Sequence, residues 1–207
     1  MAGTMALADL VADLKVSLHD SARVFDSPDD ADFVRFLAQA LPDMQFKRPR
    51  TRLGSVMLVV GTARYSLAAY PDFAAYKTHL WGDGCKLKPW EPGYPGALPR
   101  VSAVNDGGWG LAFEPAPSVA HVAALGSSFA FWYFGLHVLG VLAADTTVMS
   151  ADRGLLMLRA QVEAMRELAI RNAGKPVQLR DGLSGTARNS TPAALHEQLL
   201  ATFKEAR

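Results

Sequence analysis

The sequence predicts an α+β fold in which a helical bundle is combined with a small antiparallel β domain of hairpins. Three stretches carry this prediction. Residues 150–173 place apolar side chains at alternating spacings of three and four, the pattern of an amphipathic helix. Residues 101–113 contain an Asn-Asp-Gly-Gly sequence at 105–108 between two short apolar runs, which favours a hairpin. Residues 129–139 are aromatic and rich in β-formers, as a buried strand would be.

Two further helices are predicted near the start of the chain. The first covers residues 4–19, with Thr4 as its cap. The second covers residues 28–41 and is expected to end at Pro42, because proline interrupts helical hydrogen bonding. Acidic side chains at its start complement the helix dipole, and we favour this interpretation over a metal or acid/base cluster: Asp29, Asp30 and Asp32.

The helix at 150–173 is expected to lie on a core through one stripe of apolar side chains, formed by Leu155, Leu158, Val162, Met165 and Ala169. Glu163, Glu167 and Arg171 are spaced four apart and are predicted to face solvent on the other side. We therefore expect this helix to serve folding and not chemistry.

The remaining elements complete one predicted core, residues 1–174, with a β region at about 52–139. Within it, residues 56–60 and 65–67 are expected to form a hairpin, and residues 71–82 are compatible with a strand or a turn. Residues 83–99 are dense in Gly and Pro and predict a long loop pinned by aromatic side chains. Residues 175–207 are predicted to be an extended arm followed by a docking helix that starts at Thr191-Pro192.

Composition excludes several classes of protein. The chain has 207 residues, with 21 basic and 20 acidic side chains, so global charge does not favour nucleic acid or an acidic membrane. The single cysteine, Cys85, cannot form an internal disulfide, which favours a reducing cytoplasm as the site of synthesis. Residues 119–144 lack charge and are long enough to span a bilayer, but Gly-Ser-Ser at 126–128 interrupts them, so we predict no membrane association.

Signatures of catalysis are missing from the sequence. It contains no phosphate-binding glycine loop, no dinucleotide fingerprint, no nucleophile elbow and no paired Cys or His at metal-ligand spacing. We therefore predict no catalytic residue, no metal and no cofactor. One alternative stays open, a small enzyme or ligand-binding domain that uses the loop from Cys85 to Tyr94, with His79 or His137 as an acid/base.

Two sets of basic residues are candidate contact sites. The first, which could contact DNA phosphates or face a partner as a solvated loop, is Lys47, Arg48, Arg50 and Arg52. The second could pair with acids on a neighbouring subunit, and consists of Lys175, Arg180 and Arg188. The final helix adds an apolar stripe that must dock on this chain or another because the helix is too short to be stable alone: Leu195, Leu199 and Phe203.

Several segments of the sequence resemble the head-to-tail connector proteins of tailed bacteriophages, the adaptor family that forms a ring beneath the portal. They are LVVGTARYSL at 58–67, LAFEPAPS at 111–118, FAFWYFGLH at 129–137 and DTTVMSADRGLLMLRAQVEAMRELAIRNAGKPV at 145–177. The likeness covers most of the chain and carries no catalytic signature.

This resemblance implies a virion structural protein. Its copies would assemble into a homododecameric ring in the neck of the particle, after synthesis in the host cytoplasm. The ring would bind the portal protein on one side and a tail or further neck protein on the other, and DNA would pass through its centre with only transient, non-specific contact. The nearly balanced charge is compatible with such a channel, because many phosphate contacts would hold the DNA.

Overall fold

The computed structural model describes residues 4–25, 27–83, 85, 87–172 and 191–206. The chain divides into two compact units. The helical unit comprises Met1–Arg48 and His137–Arg207, and the β unit comprises Pro49–Leu136. The helical unit is thus built from both ends of the chain and includes the last helix, whereas the sequence analysis placed the boundary after residue 174.

The described residues form five α-helices and two antiparallel sheets of three strands, which confirms the predicted α+β class. The helices are α1 (Leu7–Leu18), α2 (Ala31–Lys47), α3 (Val119–Leu125), α4 (Arg153–Asn172) and α5 (Pro192–Glu205). The strands are β1 (Arg50–Met57), β2 (Arg64–Ser66), β3 (Phe73–His79), β4 (Arg100–Asn105), β5 (Trp109–Glu114) and β6 (Ser128–Gly135). Short 3-10 turns precede α2 and α4.

Helix α4 is the centre of the helical unit, because α1, α2 and α5 all pack against it. Its buried side chains extend over more than one stripe: Leu156, Ala160, Val162, Glu163, Ala164, Met165 and Leu168. The predicted stripe is confirmed at Val162 and Met165. The prediction that Glu163 faces solvent is wrong, because a helix surrounded by three others has little free surface.

Helix boundaries differ from the prediction at both N-terminal helices. Pro42 lies inside α2 and does not end it. An internal proline costs about 3 kcal/mol, but the turns beyond it bury Met44 in the core and pair Asp43 with Arg159. Helix α1 begins at Leu7 without a side-chain cap, and the backbone N–H of Thr4 donates to the carboxylate of Asp9.

The β unit contains two sheets whose strand orders are β1-β6-β3 and β2-β5-β4. The predicted hairpin at 101–113 is confirmed as β4 and β5, with Asn105 opposite Trp109 across the turn. The predicted aromatic strand is confirmed as β6, which lies in the middle of its sheet. The predicted hairpin of 56–60 with 65–67 is wrong: β1 pairs with β6, and β2 pairs with β5.

The core of the β unit is unusually aromatic. Phe129, Phe131 and Tyr133 alternate along β6 and are fully buried on one face, as the period of two in a strand requires. Phe113 of β5 meets Phe129 edge to face at 4.9 Å between ring centroids. Edge-to-face pairs of this kind add to the stabilisation that burial provides.

Two tyrosine hydroxyls satisfy backbone groups that the sheets leave unpaired. The hydroxyl of Tyr70 accepts from the N–H of Ser55 and donates to its carbonyl, both at 2.7 Å. The hydroxyl of Tyr65 makes the same pair of bonds with Val59, at 2.9 and 3.0 Å. Because β1 is an edge strand, Tyr70 occupies groups that would otherwise be available to a further strand.

Replacing Gly54 by alanine is expected to destabilise the β unit by about 2 kcal/mol. A Cβ at this position would lie 2.7 Å from Cζ of Phe131 and 3.1 Å from Cε1 of Tyr70. Both rings pack against Tyr133 and cannot move freely. Thermal unfolding followed by near-UV circular dichroism measures the loss. Gly108→Ala is the control, since its Cβ would meet nothing within 4 Å, and equal losses in the two variants would contradict the expectation.

Candidate functional site

The first two residues of the predicted basic run have partners within the helical unit. The ammonium of Lys47 donates to the carbonyl oxygens of Lys204 at 2.6 Å and Ala206 at 2.7 Å, at the end of α5. The guanidinium of Arg48 lies 2.7 Å from a carboxylate oxygen of Asp152. Both cations therefore stabilise contacts between distant parts of the chain.

The last two residues of the run converge on Asp72 in the β unit. Arg52 and Arg50 donate to Oδ2 of Asp72 at 2.6 and 3.3 Å, and the hydroxyl of Tyr133 donates to Oδ1 at 3.1 Å. Burial disfavours the charged carboxylate, but the bonds from Arg52 and Tyr133, with the two positive charges, outweigh it and lower the pKa of Asp72. The sequence analysis missed Asp72, since its partners lie 20 residues or more away.

This carboxylate predicts a pH dependence of stability. Because the pKa of Asp72 is lower in the folded chain than its ordinary 3.8, its stabilising contribution is present above about pH 4 and is lost as the pH falls further. The pKa of Asp32 is lowered in the same direction, chiefly by a hydrogen bond from Arg35. We expect the melting temperature to fall by roughly 4 °C between pH 5 and pH 3. Asp72→Asn is the comparison, and a slope unchanged in that variant would show that Asp72 does not contribute.

Two polar contacts involve residues on either side of the Cys85–Tyr94 loop, Trp81 before it and Ala97 after it. His121 is buried in α3, where Nδ1 accepts from the backbone N–H of Ser118 and Nε2 lies 3.1 Å from the carbonyl oxygen of Ala97. The indole N–H of Trp81 donates to the carbonyl oxygen of Gly126 at 3.1 Å. The prediction of an aromatic-pinned loop is confirmed for Trp81, whereas Trp90 is exposed. The role of His121 was missed, although Ser118 three residues earlier resembles a capping box.

A cavity of about 280 Å³ lies beside Cys85. Its described lining is mainly apolar, with Leu80, Trp81, Ala124 and Leu125 around the thiol, and it includes neither a histidine nor a carboxylate. A cysteine nucleophile needs a base or a cation close by to form the thiolate. The described lining supplies neither a base nor a cation for the Cys85 thiol.

The two histidines of the enzyme alternative, His79 and His137, contact other residues of the fold. His79 packs on Phe129 with 5.0 Å between ring centroids, and burial lowers its pKa, an effect partly offset by Asp83. His137 belongs to the helical unit, where Nε2 lies 2.7 Å from the carbonyl oxygen of Arg48 and Nδ1 lies 3.3 Å from the hydroxyl of Thr147.

Neither a metal centre nor a membrane span was found in the described part of the chain. Among residues 4–25, 27–83, 85, 87–172 and 191–206, no three His, Cys, Asp or Glu side chains are grouped so that they could hold a metal ion. No helix within the same ranges is long and apolar enough to cross a bilayer. The uncharged stretch at 119–144 contains α3 and β6.

The candidate interface residues of the last helix pack against the helical unit of their own chain. Phe203 is buried in the core of the helical unit, Leu199 packs partly against that core, and Leu195 is 37% exposed. Of the two docking partners that the sequence analysis left open, the described structure contains the one within the chain. Lys175, Arg180 and Arg188 lie outside the described residues.

Large apolar side chains are exposed at many positions, including Phe46 and Trp90, and two groups of four lie near one another in the chain or across joined turns. In the helical unit, the stretch between β6 and α4 exposes an apolar segment made of Val138, Val141, Leu142 and Met149. In the β unit, backbone bonds from Gly61 to Pro117 and from Leu58 to Ser127 bring two turns together. They expose an apolar tip made of Met57, Val59, Val60 and Val119. Apolar patches of this kind are typical of surfaces that bind another protein.

No protein-family model matches this chain, and no curated protein matches it either.

Proposed function

We propose that this chain is a structural subunit of a tailed-phage particle, a head-to-tail connector whose copies form a dodecameric ring in the neck. In this proposal the ring binds the portal protein above and a tail or further neck protein below. The proposal begins from the sequence resemblance. The observation that supports it most is the pair of exposed apolar surfaces, the apolar segment and the apolar tip.

The chemistry of the described residues supports an assembly role more than a catalytic one. The cavity at Cys85 lacks an acid or base in its described lining, and His121 and His137 are held in hydrogen bonds. Nδ1 of His79 is buried without a hydrogen-bond partner among the described residues, but His79 does not line that cavity.

The two apolar surfaces, by contrast, expose side chains that cost free energy in water. The side chain of Val141 is 79% exposed, and that of Met149 is 72% exposed. Burial against neighbouring subunits would remove that cost.

The paired cations support the part of the proposal that concerns DNA. Lys47, Arg48, Arg50 and Arg52 contact carbonyl oxygens or carboxylates of their own chain. A cation held in this way gains less from phosphate contact than a free one, because it must give up an existing partner. In the proposed ring these residues therefore stabilise the fold of the subunit. DNA passes with transient, non-specific contact only.

Quantitative mass spectrometry of purified phage particles from the source tests the assignment. We expect the chain to be present at about one copy per portal subunit, since a ring that stacks on the portal shares its symmetry. Absence of the chain from complete particles would overturn the proposal.

A pair of matched substitutions tests the surface. Leu142→Asp places a charge on the apolar segment and is expected to keep the fold but reduce incorporation into particles at least tenfold, because a buried unpaired charge is costly. Val16→Asp makes the same change at an exposed position of α1 and is expected to incorporate normally. Equal incorporation of both variants would remove the apolar segment from the proposed interface.

A further inference from the structure

Helix α5 is attached to the helical unit by far fewer buried side chains than the other long helices. Phe203 is its one buried residue among the described positions, whereas α4 buries seven. Leu199 is half-buried, and Leu195 is exposed. A cavity of about 340 Å³ remains between the N-terminal half of α5 and its neighbours, lined in part by Gln161 and Met165 of α4. The helix lies along α4, but its one buried anchor among the described residues is in its last turn.

Two cations, one from α2 and one from α4, contact this last turn. The ring of Phe203 lies between two cations, with Nζ of Lys47 at 5.5 Å from the ring centroid and Cζ of Arg159 at 5.9 Å. The same ammonium of Lys47 donates to the carbonyl oxygens of Lys204 and Ala206. A cation at this place satisfies carbonyls that a helix end leaves free and complements the helix dipole. The docking site thus recognises the end of α5, whichever chain supplies that helix.

The connection to α5 is much longer than docking on its own chain requires. Phe203 lies near Arg159, and Leu195 and Leu199 line the same cavity as Gln161 and Met165, so α5 runs antiparallel to α4. Pro192 therefore begins about one helical turn from the end of α4. Antiparallel neighbours are usually joined by about 2–8 residues, yet residues 173–191 supply 19. A chain of this length can span roughly 60 Å when extended.

We propose that copies of this chain exchange α5, so that the helix of one copy docks on the Lys47 and Arg159 site of another. The occupant is a second copy because the site fits the end of α5 and the connection is long enough to deliver it. Exchange of an identical element is a low-cost route to assembly, because the contacts are the same within one chain and between two. When copies are held side by side, the high effective concentration favours the exchanged arrangement. The inference goes beyond the proposed function and does not depend on a phage particle.

Disulfide trapping tests the exchange, with Cys85→Ser as the background of every variant. One variant carries Gln161→Cys on α4, and a second carries Leu199→Cys on α5; both positions line the same cavity. The two are mixed at high concentration and oxidised slowly, and products are separated on a non-reducing gel. A covalent pair of one chain of each kind is expected, because only α5 of one copy on α4 of the other brings these thiols together. A single chain with both substitutions should instead close an internal disulfide, which verifies the geometry.

A shortened connection supplies the matched control. Deleting residues 176–187 leaves seven residues between the helices, which is enough for docking on the same chain. Seven residues span only about 23 Å when fully extended, so delivery of α5 to another copy is strongly restricted. The covalent pair should form about tenfold more slowly in this background, while the internal disulfide is unaffected. Equal rates in the two backgrounds, or no covalent pair in the full-length one, would overturn the proposal. Leu195→Cys replaces Leu199→Cys if the latter fails to fold, since Leu195 lines the same cavity.

Discussion

Phe36→Ala is expected to lower the free energy of unfolding by about 4 kcal/mol. Phe36 is fully buried in α2 and meets Phe25 edge to face at 5.0 Å and Phe33 at 6.4 Å between ring centroids. The guanidinium carbon of Arg35 lies 4.9 Å from the centroid of the Phe36 ring. Truncation removes these contacts and leaves a cavity that the helices cannot fully close.

Phe46 of the same helix provides the control, because its side chain is 85% exposed. Phe46→Ala makes the same chemical change and should alter stability by less than about 0.5 kcal/mol. Urea unfolding followed by far-UV circular dichroism compares the two variants. If both lose the same amount of stability, the aromatic cluster around Phe36 does not support the helical unit as described.

Glu163→Ala is expected to cost about 3 kcal/mol. Glu163 is 4% exposed and forms ion pairs with Arg159 and Arg166, the latter at 2.9 Å. Arg159 is itself only 11% exposed, so loss of this partner leaves a nearly buried guanidinium with Asp43 as its carboxylate partner. An uncompensated charge in such surroundings is costly because water cannot solvate it.

The same carboxylate has an exposed partner, which allows a direct comparison. The side chain of Arg166 is 55% exposed, and Arg166→Ala should cost less than about 1 kcal/mol, since water replaces the lost ion pair. Guanidinium chloride is unsuitable because it screens ion pairs, so the loss is measured by urea unfolding at low salt. A Glu163→Ala loss as small as that of Arg166→Ala would mean that the carboxylate is not desolvated.

Sequence patterns predicted the local elements well because their causes are local. The Asn-Asp-Gly-Gly turn at 105–108 and the Thr191-Pro192 start of α5 depend on backbone preferences of a few residues, and both are confirmed. The Glu167–Arg171 pair on α4 is also confirmed, at 3.0 Å. The hydrophobic periodicity of a helix does not reveal how many other helices pack against it. That is why Glu163 was assigned to solvent and is buried.

Pairing over long distances could not be predicted in the same way. The incorrect hairpin at 56–67 joined strands that are close in sequence, whereas β1 pairs with β6, whose register places Arg50 opposite Gly135. The carboxylate partners of the basic run could not be predicted for the same reason, because Asp72 and Asp152 approach their arginines only once the fold is formed. The charges of the run were visible in the sequence, and their neutralisation was not.

The chain leaves the helical unit after Arg48 and re-enters it at His137, and these two residues lie next to each other. Nε2 of His137 is 2.7 Å from the carbonyl oxygen of Arg48, although 88 residues separate them in the sequence. The β unit likewise starts and finishes on adjacent strands, at Arg50 and Gly135. Residues 49–136 are therefore a removable cassette: a gene that joins codon 48 to codon 137 needs only a short bridge. Transplanting the cassette into another host loop requires only a pair of attachment points separated by the width of one strand pair.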